Sequence, residues 1–123
     1  MHRTFLRAKI HRATVTTADL HYEGSISIDR TLCRAAGLLE FEQVDVYNIT
    51  NGSRFTTYVI YGEPGQIQIN GAAAHLAKPG DLVIIAAYCS LAPEEVAQHH
   101  SRVVLVDEKN QVASNYGKPV MQP

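Results

Sequence analysis

The chain has 123 residues, 46% of them hydrophobic and 19% charged, with a net charge of −1. That length suits one domain with one core that needs neither disulfides nor metal, and the interspersed acids and bases provide no basic stripe for nucleic acid and no charged tail for a membrane surface. The two cysteines, Cys33 and Cys89, lie far apart without CxxC spacing, which predicts free thiols.

Met1 to Phe5 carries charge at once and no apolar run follows, so it does not read as a secretory signal. No stretch approaches the roughly 20 apolar residues of a membrane span. The expectation is a cytoplasmic single domain over 1–123.

Thr4 to Thr17 is rich in β-branched residues, with Lys9, His11 and Thr14 interleaved among Leu6, Ile10 and Val15. It predicts one long strand or two bent ones with a polar and an apolar face. Ser27-Ile28-Asp29 is expected to open a short helix, with Asp29 or Ser27 as N-cap, an apolar stripe of Leu32, Ala35 and Ala36, and Gly37 as its stop. Gln43 to Asn48 alternates as a strand, Thr50-Asn51-Gly52 is a turn, and Phe55 to Ile60 is the returning arm. Gln66 to Ile69 alternates again. Ala72 to Leu76 predicts a single helical turn, Lys78 to Asp81 a turn, and the apolar run Leu82 to Ala87 a buried strand. Pro93 to Ala97 opens a short helix, Val103 to Val106 is read as the last strand, and the tail from Ser114 as loosely held. Many short strands with two short helices predict a mainly β fold, a small barrel or sandwich.

Between the first two predicted elements lies Tyr22-Glu23-Gly24-Ser25. Such a stretch is most simply a turn. It also places a serine hydroxyl beside the unshielded carbonyl of a glycine, where attack would give an ester and break the chain between residues 24 and 25. Six histidines invite a metal, but none pairs with Cys or Asp at ligand spacing. Asn70-Gly71-Ala72-Ala73-Ala74 is either a close-packed turn or backbone N–H groups lining a site for a charged ligand. Arg54 and Lys9, if they face one cavity, suit a substrate with two carboxylates. Strand alternation sets Arg54, Thr56 and Tyr58 on one face and Phe55 and Thr57 on the other, so Arg54, Thr57 and Tyr58 converge only if the strand bends or the site lies between subunits.

Five blocks occur together in order: Lys9-Ile10-His11-Arg12, Ala18 to Ser25, Asn48 to Gly52, Arg54-Phe55 with Thr57-Tyr58, and Asn70 to His75. On these the chain closely resembles the pyruvoyl-dependent aspartate 1-decarboxylases, which make β-alanine for pantothenate synthesis. The resemblance implies a six-stranded double-psi β-barrel assembled as a homotetramer, with short helices. It implies self-cleavage at Gly24-Ser25 into a β chain (1–24) and an α chain (25–123), Ser25 becoming a pyruvoyl group through an ester and a dehydroalanine. Thr57 would polarise the Gly24 carbonyl. The substrate L-aspartate would form a Schiff base with the pyruvoyl group, its carboxylates held by Lys9 and Arg54, with Thr57, Asn70, Gly71, Ala72 and Ala73 completing the pocket. Tyr58 would protonate the carbanion. His11 and Tyr22 match positions near the site as supporting residues. No metal is implied, and some family members need a separate maturation factor.

The chain departs from many relatives at Ile26, where cysteine is common, at Tyr47, where an indole is often found, and in a shorter hairpin between Ile60 and Gln66. Two rivals stand beside this reading: a pyruvoyl-dependent decarboxylase of another amino acid, and a non-catalytic β-barrel in which Gly24-Ser25 is only a turn. Arg54 and Lys9 speak against a substrate with a cationic side chain.

Overall fold

A computed structural model describes all 123 residues. In chain order its elements are β1 (Arg3–Thr14), β2 (Thr17–Asp19), β3 (Ser25–Asp29), α1 (Arg30–Ala36), β4 (Gln43–Asn48), β5 (Arg54–Gly62), β6 (Ile67–Asn70), β7 (Leu82–Leu91), β8 (His100–Val106) and β9 (Val112–Pro119), with 3₁₀ turns at Gly71–His75 and Pro93–Gln98. The strands hydrogen-bond in the order β2-β6-β3-β5-β4-β7-β1-β8-β9. The marginal strand β2 continues β1 after only Val15 and Thr16, so the series returns on itself as a small, mainly β barrel.

Nine strands pair, where the resemblance implies six. Strands β1, β3, β4, β5, β6 and β7 supply most of the core, which includes Ile10, Ile26, Val46, Val59, Ile69 and Ile85. Each comes from alternate positions of its strand, as the two-residue period requires. From β8, Val104 joins them, whereas β2 and β9 place no residue in the core.

Three expectations need correcting. Ser27 and Asp29 belong to a strand, β3, because Ile26 and Ile28 pair into the sheet against Ile69, Ile67 and β5. The helix starts only at Arg30. Asp29 caps it by accepting from the Thr31 N–H at 2.7 Å, and Gly37 ends it in the left-handed region. Second, the buried strand at Leu82 runs on to Leu91, its last residues more exposed and carried by pairing with β1. Third, Val103–Val106 is not the last strand and the tail is not loose: Val112–Pro119 pairs antiparallel with β8. Every residue of β9 is exposed, so its backbone pairing with β8, not burial, builds it, and no apolar alternation marks it in the sequence.

Two buried amides tie loops to this frame. Asn110, at φ 60°, accepts from the Thr14 N–H at 2.8 Å and donates to the Thr14 carbonyl at 2.9 Å, acting as a strand partner where β1 ends. Asn48 donates to the Asp81 carboxylate at 2.9 Å, which also accepts from the Lys78 N–H at 3.0 Å. Cys33 and Cys89 are free thiols, and burial leads the causes that push Cys33 up to about 12.

Candidate active site

Ser25 is the first residue of β3 and lies opposite Asn70, the last residue of β6. Both are 1% exposed. Ser25 and Ser27 share one face of β3 while Ile26 and Ile28 fill the core on the other, so two hydroxyls are buried and need partners. Asn70 provides them: its Nδ2 donates to Ser25 Oγ at 2.9 Å and to Ser27 Oγ at 3.1 Å. Its Oδ1 accepts from Gln68 Nε2 at 2.7 Å.

Immediately before Ser25 the chain is in the open. Tyr22, Glu23 and Gly24 are exposed, and a Cβ at Gly24 would meet nothing within 4 Å. The Gly24–Ser25 peptide therefore joins an unshielded glycine to a buried, oriented hydroxyl. Gly71, at φ +75°, presses on this bond from the other side. A Cβ there would fall 2.8 Å from Gly24 Cα and 3.2 Å from the Tyr22 carbonyl oxygen, so only glycine fits. Ala72 and Ala73 follow in the same 3₁₀ turn, Ala72 exposed and Ala73 half-buried.

Strand β5 runs parallel to β3, with pairing that begins at Ile26 and Val59. Thr57 and Tyr58 precede Val59 on β5 as Gly24 and Ser25 precede Ile26, so both pairs lie at the same end of the two strands. The alternation expected of this strand holds: Arg54, Thr56 and Tyr58 are exposed, while Phe55 and Thr57 are half-buried. Thr57 pairs with core Val44 and Tyr58 with exposed Gln43. The Tyr58 ring lies 6.4 Å from that of Phe41, tilted by 51°. Phe41 is itself 71% exposed at φ 70°, a backbone conformation that strains a bulky residue.

A second group lies on the outer face of the barrel. Two rows of paired residues cross β1, β7, β4 and β5: Lys9, Ala86, Asp45 and Thr56 in one, His11, Ile84, Tyr47 and Arg54 in the other. The Arg54 guanidinium sits 4.0 Å from the Tyr47 ring centroid, a cation–π contact. The Tyr47 and Tyr88 hydroxyls are 2.7 Å apart, and this hydrogen bond leads the causes that push the Tyr47 phenol up to about 12. Thr56 Oγ1 donates to Asp45 at 2.7 Å. The chain's one ion pair is Arg7 with Glu42, which leaves Lys9 and Arg54 without carboxylate partners. His11 Nδ1 is buried and unpartnered; burial first, then Lys9 and Arg12, lower its pKa and favour neutral imidazole at pH 7.

The two groups are separate within one chain. In the hydrogen-bonded order, strands β3 and β1 are four steps apart by way of β5, β4 and β7. Arg54 lies on the strand next to Ser25, yet four residues before Tyr58, roughly 13 Å along it. One chain thus brings Gly24, Ser25, Asn70 and Gly71 together, sets Thr57 and Tyr58 at the same end of neighbouring β5, and leaves Lys9, His11 and Arg54 in another patch. Gln68 and Ser27, which the sequence analysis does not single out, join the first group. Their signal was the two-residue spacing from Asn70 to Gln68 and from Ser25 to Ser27. No three His, Cys, Asp or Glu side chains gather as a metal-binding set, and no helix is long and apolar enough to cross a membrane.

The sequence pattern of the aspartate decarboxylase family matches residues 1–113. An aspartate 1-decarboxylase of Hydrogenobaculum sp. is 56% identical over 112 residues, covering 91% of this chain and 90% of its own. That of Clostridium acetobutylicum is 54% identical over 116 residues, with 93% and 91% covered. That of Salinibacter ruber is 57% identical over 114 residues, with 91% and 78% covered.

Proposed function

The chain belongs to the aspartate decarboxylase family, and we propose that it makes its own prosthetic group, a pyruvoyl, by cleaving itself between Gly24 and Ser25. It is a carboxy-lyase that converts L-aspartate to β-alanine and CO2, the step that feeds pantothenate and coenzyme A. The observation that carries the self-cleavage is the bond itself: an exposed glycine with no side chain to shield it, followed by a buried serine whose Oγ is held by Asn70.

The surroundings of this bond fit the making of a pyruvoyl group. Ser25 Oγ attacks the Gly24 carbonyl carbon, the C–N bond breaks, and the freed amine takes the proton. Thr57, two residues before the β3–β5 pairing as Gly24 is, polarises the carbonyl oxygen on which charge develops. Loss of the Ser25 Cα proton then expels Gly24 as a carboxylate, and water replaces the amine of residue 25, which leaves as ammonia. Residues 1–24 become the β chain and 25–123 the α chain. Once formed, the group supplies a carbonyl for the substrate amine and a sink for the electrons that CO2 leaves behind.

The rest falls to side chains. Arg54 grips one substrate carboxylate through forked hydrogen bonds and Lys9 offers a point charge to the other. Asn70, Thr57 and the turn at Gly71, Ala72 and Ala73 close the pocket, and Tyr58 gives a proton to the carbanion carbon. His11 and Tyr22 support the walls. Lys9 and Arg54 form a patch of their own on the outer face, and they come from a neighbouring copy, which fits a homotetramer with sites between subunits. The barrel proper is the six strands that supply most of the core, β1 and β3 to β7, in double-psi connection. The enzyme works in the cytoplasm.

Intact mass tests the proposal. Purified protein should separate into two chains split after Gly24, the larger with a pyruvoyl in place of Ser25. Ser25→Ala should stay whole and release no CO2. A wild-type chain that stays whole after incubation with extract of its source would overturn self-cleavage, as would CO2 release by Ser25→Ala.

A further inference from the structure

We propose that Gln68, backed by Gln66, is a positioning residue that fixes which end of the Asn70 amide faces Ser25 and thereby sets the rate of self-cleavage; the inference rests on the self-cleavage proposed above. Gln66, Gln68 and Asn70 occupy alternate positions and so one face of β6 and the residue before it. Their amides form a single file. Gln66 Nε2 donates to Gln68 Oε1 at 3.0 Å, Gln68 Nε2 donates to Asn70 Oδ1 at 2.7 Å, and Asn70 Nδ2 ends on the oxygens of Ser25 and Ser27.

The direction of the file is set at its far end. Gln66 Oε1 accepts from the backbone N–H of Glu63 at 2.8 Å, and a backbone N–H can only donate. The oxygen of Gln66 must face Glu63, so its nitrogen faces Gln68. Gln68 must then present oxygen to Gln66 and nitrogen to Asn70, and Asn70 is left with nitrogen toward Ser25. Gly62 gives the anchor its room: a Cβ there would fall 2.6 Å from Gln66 Oε1.

The polarity matters to the nucleophile. With Nδ2 donating to it, Ser25 Oγ keeps its own proton free to leave, and the donor stabilises the negative charge that develops on the oxygen. A reversed amide would take the serine proton as its own hydrogen bond and withhold it from the reaction. Aligned amides also polarise one another, strengthening the last donor.

The test follows cleavage by intact mass in freshly purified wild type, Gln68→Leu, Gln68→Glu, Asn70→Ala and the Asn70→Ala/Gln68→Leu double variant, with source extract added equally to all and thermal unfolding measured on each. Gln68→Leu should cleave at least about tenfold more slowly. It should have no further effect in the Asn70→Ala background, because it acts through that amide. In Gln68→Glu the carboxylate can only accept, which turns the Asn70 amide over; cleavage should be slow at neutral pH and recover as pH falls toward the carboxyl pKa, where the acid can donate again. Wild-type cleavage rates in both Gln68 variants would overturn the proposal. So would an equal slowing by Gln68→Leu with and without Asn70. If wild type does not cleave at all, self-cleavage itself is wrong and this inference falls with it; if wild type cleaves and only the variant pattern fails, self-cleavage stands and the positioning role does not.

Discussion

Gly71 and Gly24 meet backbone to backbone: a Cβ on residue 71 would lie 2.8 Å from Gly24 Cα and 3.0 Å from its nitrogen. The contact joins the turn after β6 to the bond before β3, so it fixes the loop that carries the scissile peptide against the residue that follows Asn70. Gly71→Ala combines a clash with backbone, which cannot swing aside, and a left-handed conformation that costs about 1–2 kcal/mol for any residue with a Cβ. It should slow cleavage about 100-fold by shifting Gly24 away from Ser25 Oγ. Intact mass against time measures this; cleavage at the wild-type rate would show that the contact does not position the bond.

The separation of Ser25 from Lys9 and Arg54 makes a prediction about mixtures. Arg54→Ala and Ser25→Ala should each be inactive alone. Oligomers refolded from both should recover part of the wild-type rate of CO2 release, because an intact Ser25 half meets an intact Arg54 half across the contact between copies. Mixed oligomers as inactive as either parent would place the whole site within one chain.

Tyr58 is exposed one residue before the β3–β5 pairing begins, with its ring against Phe41. Tyr58→Phe keeps the ring contact and removes only the hydroxyl. Cleavage should proceed, while turnover of L-aspartate should fall about 100-fold or more, the usual worth of a general acid. Unchanged turnover would assign the proton to another group.

Asp81 contributes to stability on the acid side. The Asn48 amide, first, and then the Lys78 N–H hold its carboxyl below the usual carboxylate range. A folded pKa below the unfolded one means stabilisation that is present above the unfolded value, about 3.9, and lost as pH falls through the folded value. Asp81→Asn should lower stability at neutral pH by about 1–3 kcal/mol, since Asn48 and Lys78 lose a charged acceptor. Its unfolding midpoint should then fall less steeply than that of wild type below about pH 4. Parallel acid profiles for the two proteins would remove Asp81 from this role.

The sequence by itself determined which way side chains point along Gln43–Asn48 and Arg54–Tyr58, because that depends only on a two-residue period, and the alternation survives folding unchanged. It also narrowed the helix cap to Asp29 or Ser27 and determined the Gly37 stop and the Gly24–Ser25 bond, all set by neighbours in the chain. The tertiary structure decided the rest. That Ser25 meets Asn70, that Gln68 stands behind it, and that Lys9 lies four strands away follow from strand order and register. Those are chosen by the collective burial of residues such as Ile26, Ile69 and Ile85, distant in sequence, and no local pattern encodes them. Strand β9 is the limiting case: it is held by hydrogen bonds to β8, which any sequence free of obstruction can make, so it leaves no periodicity to read.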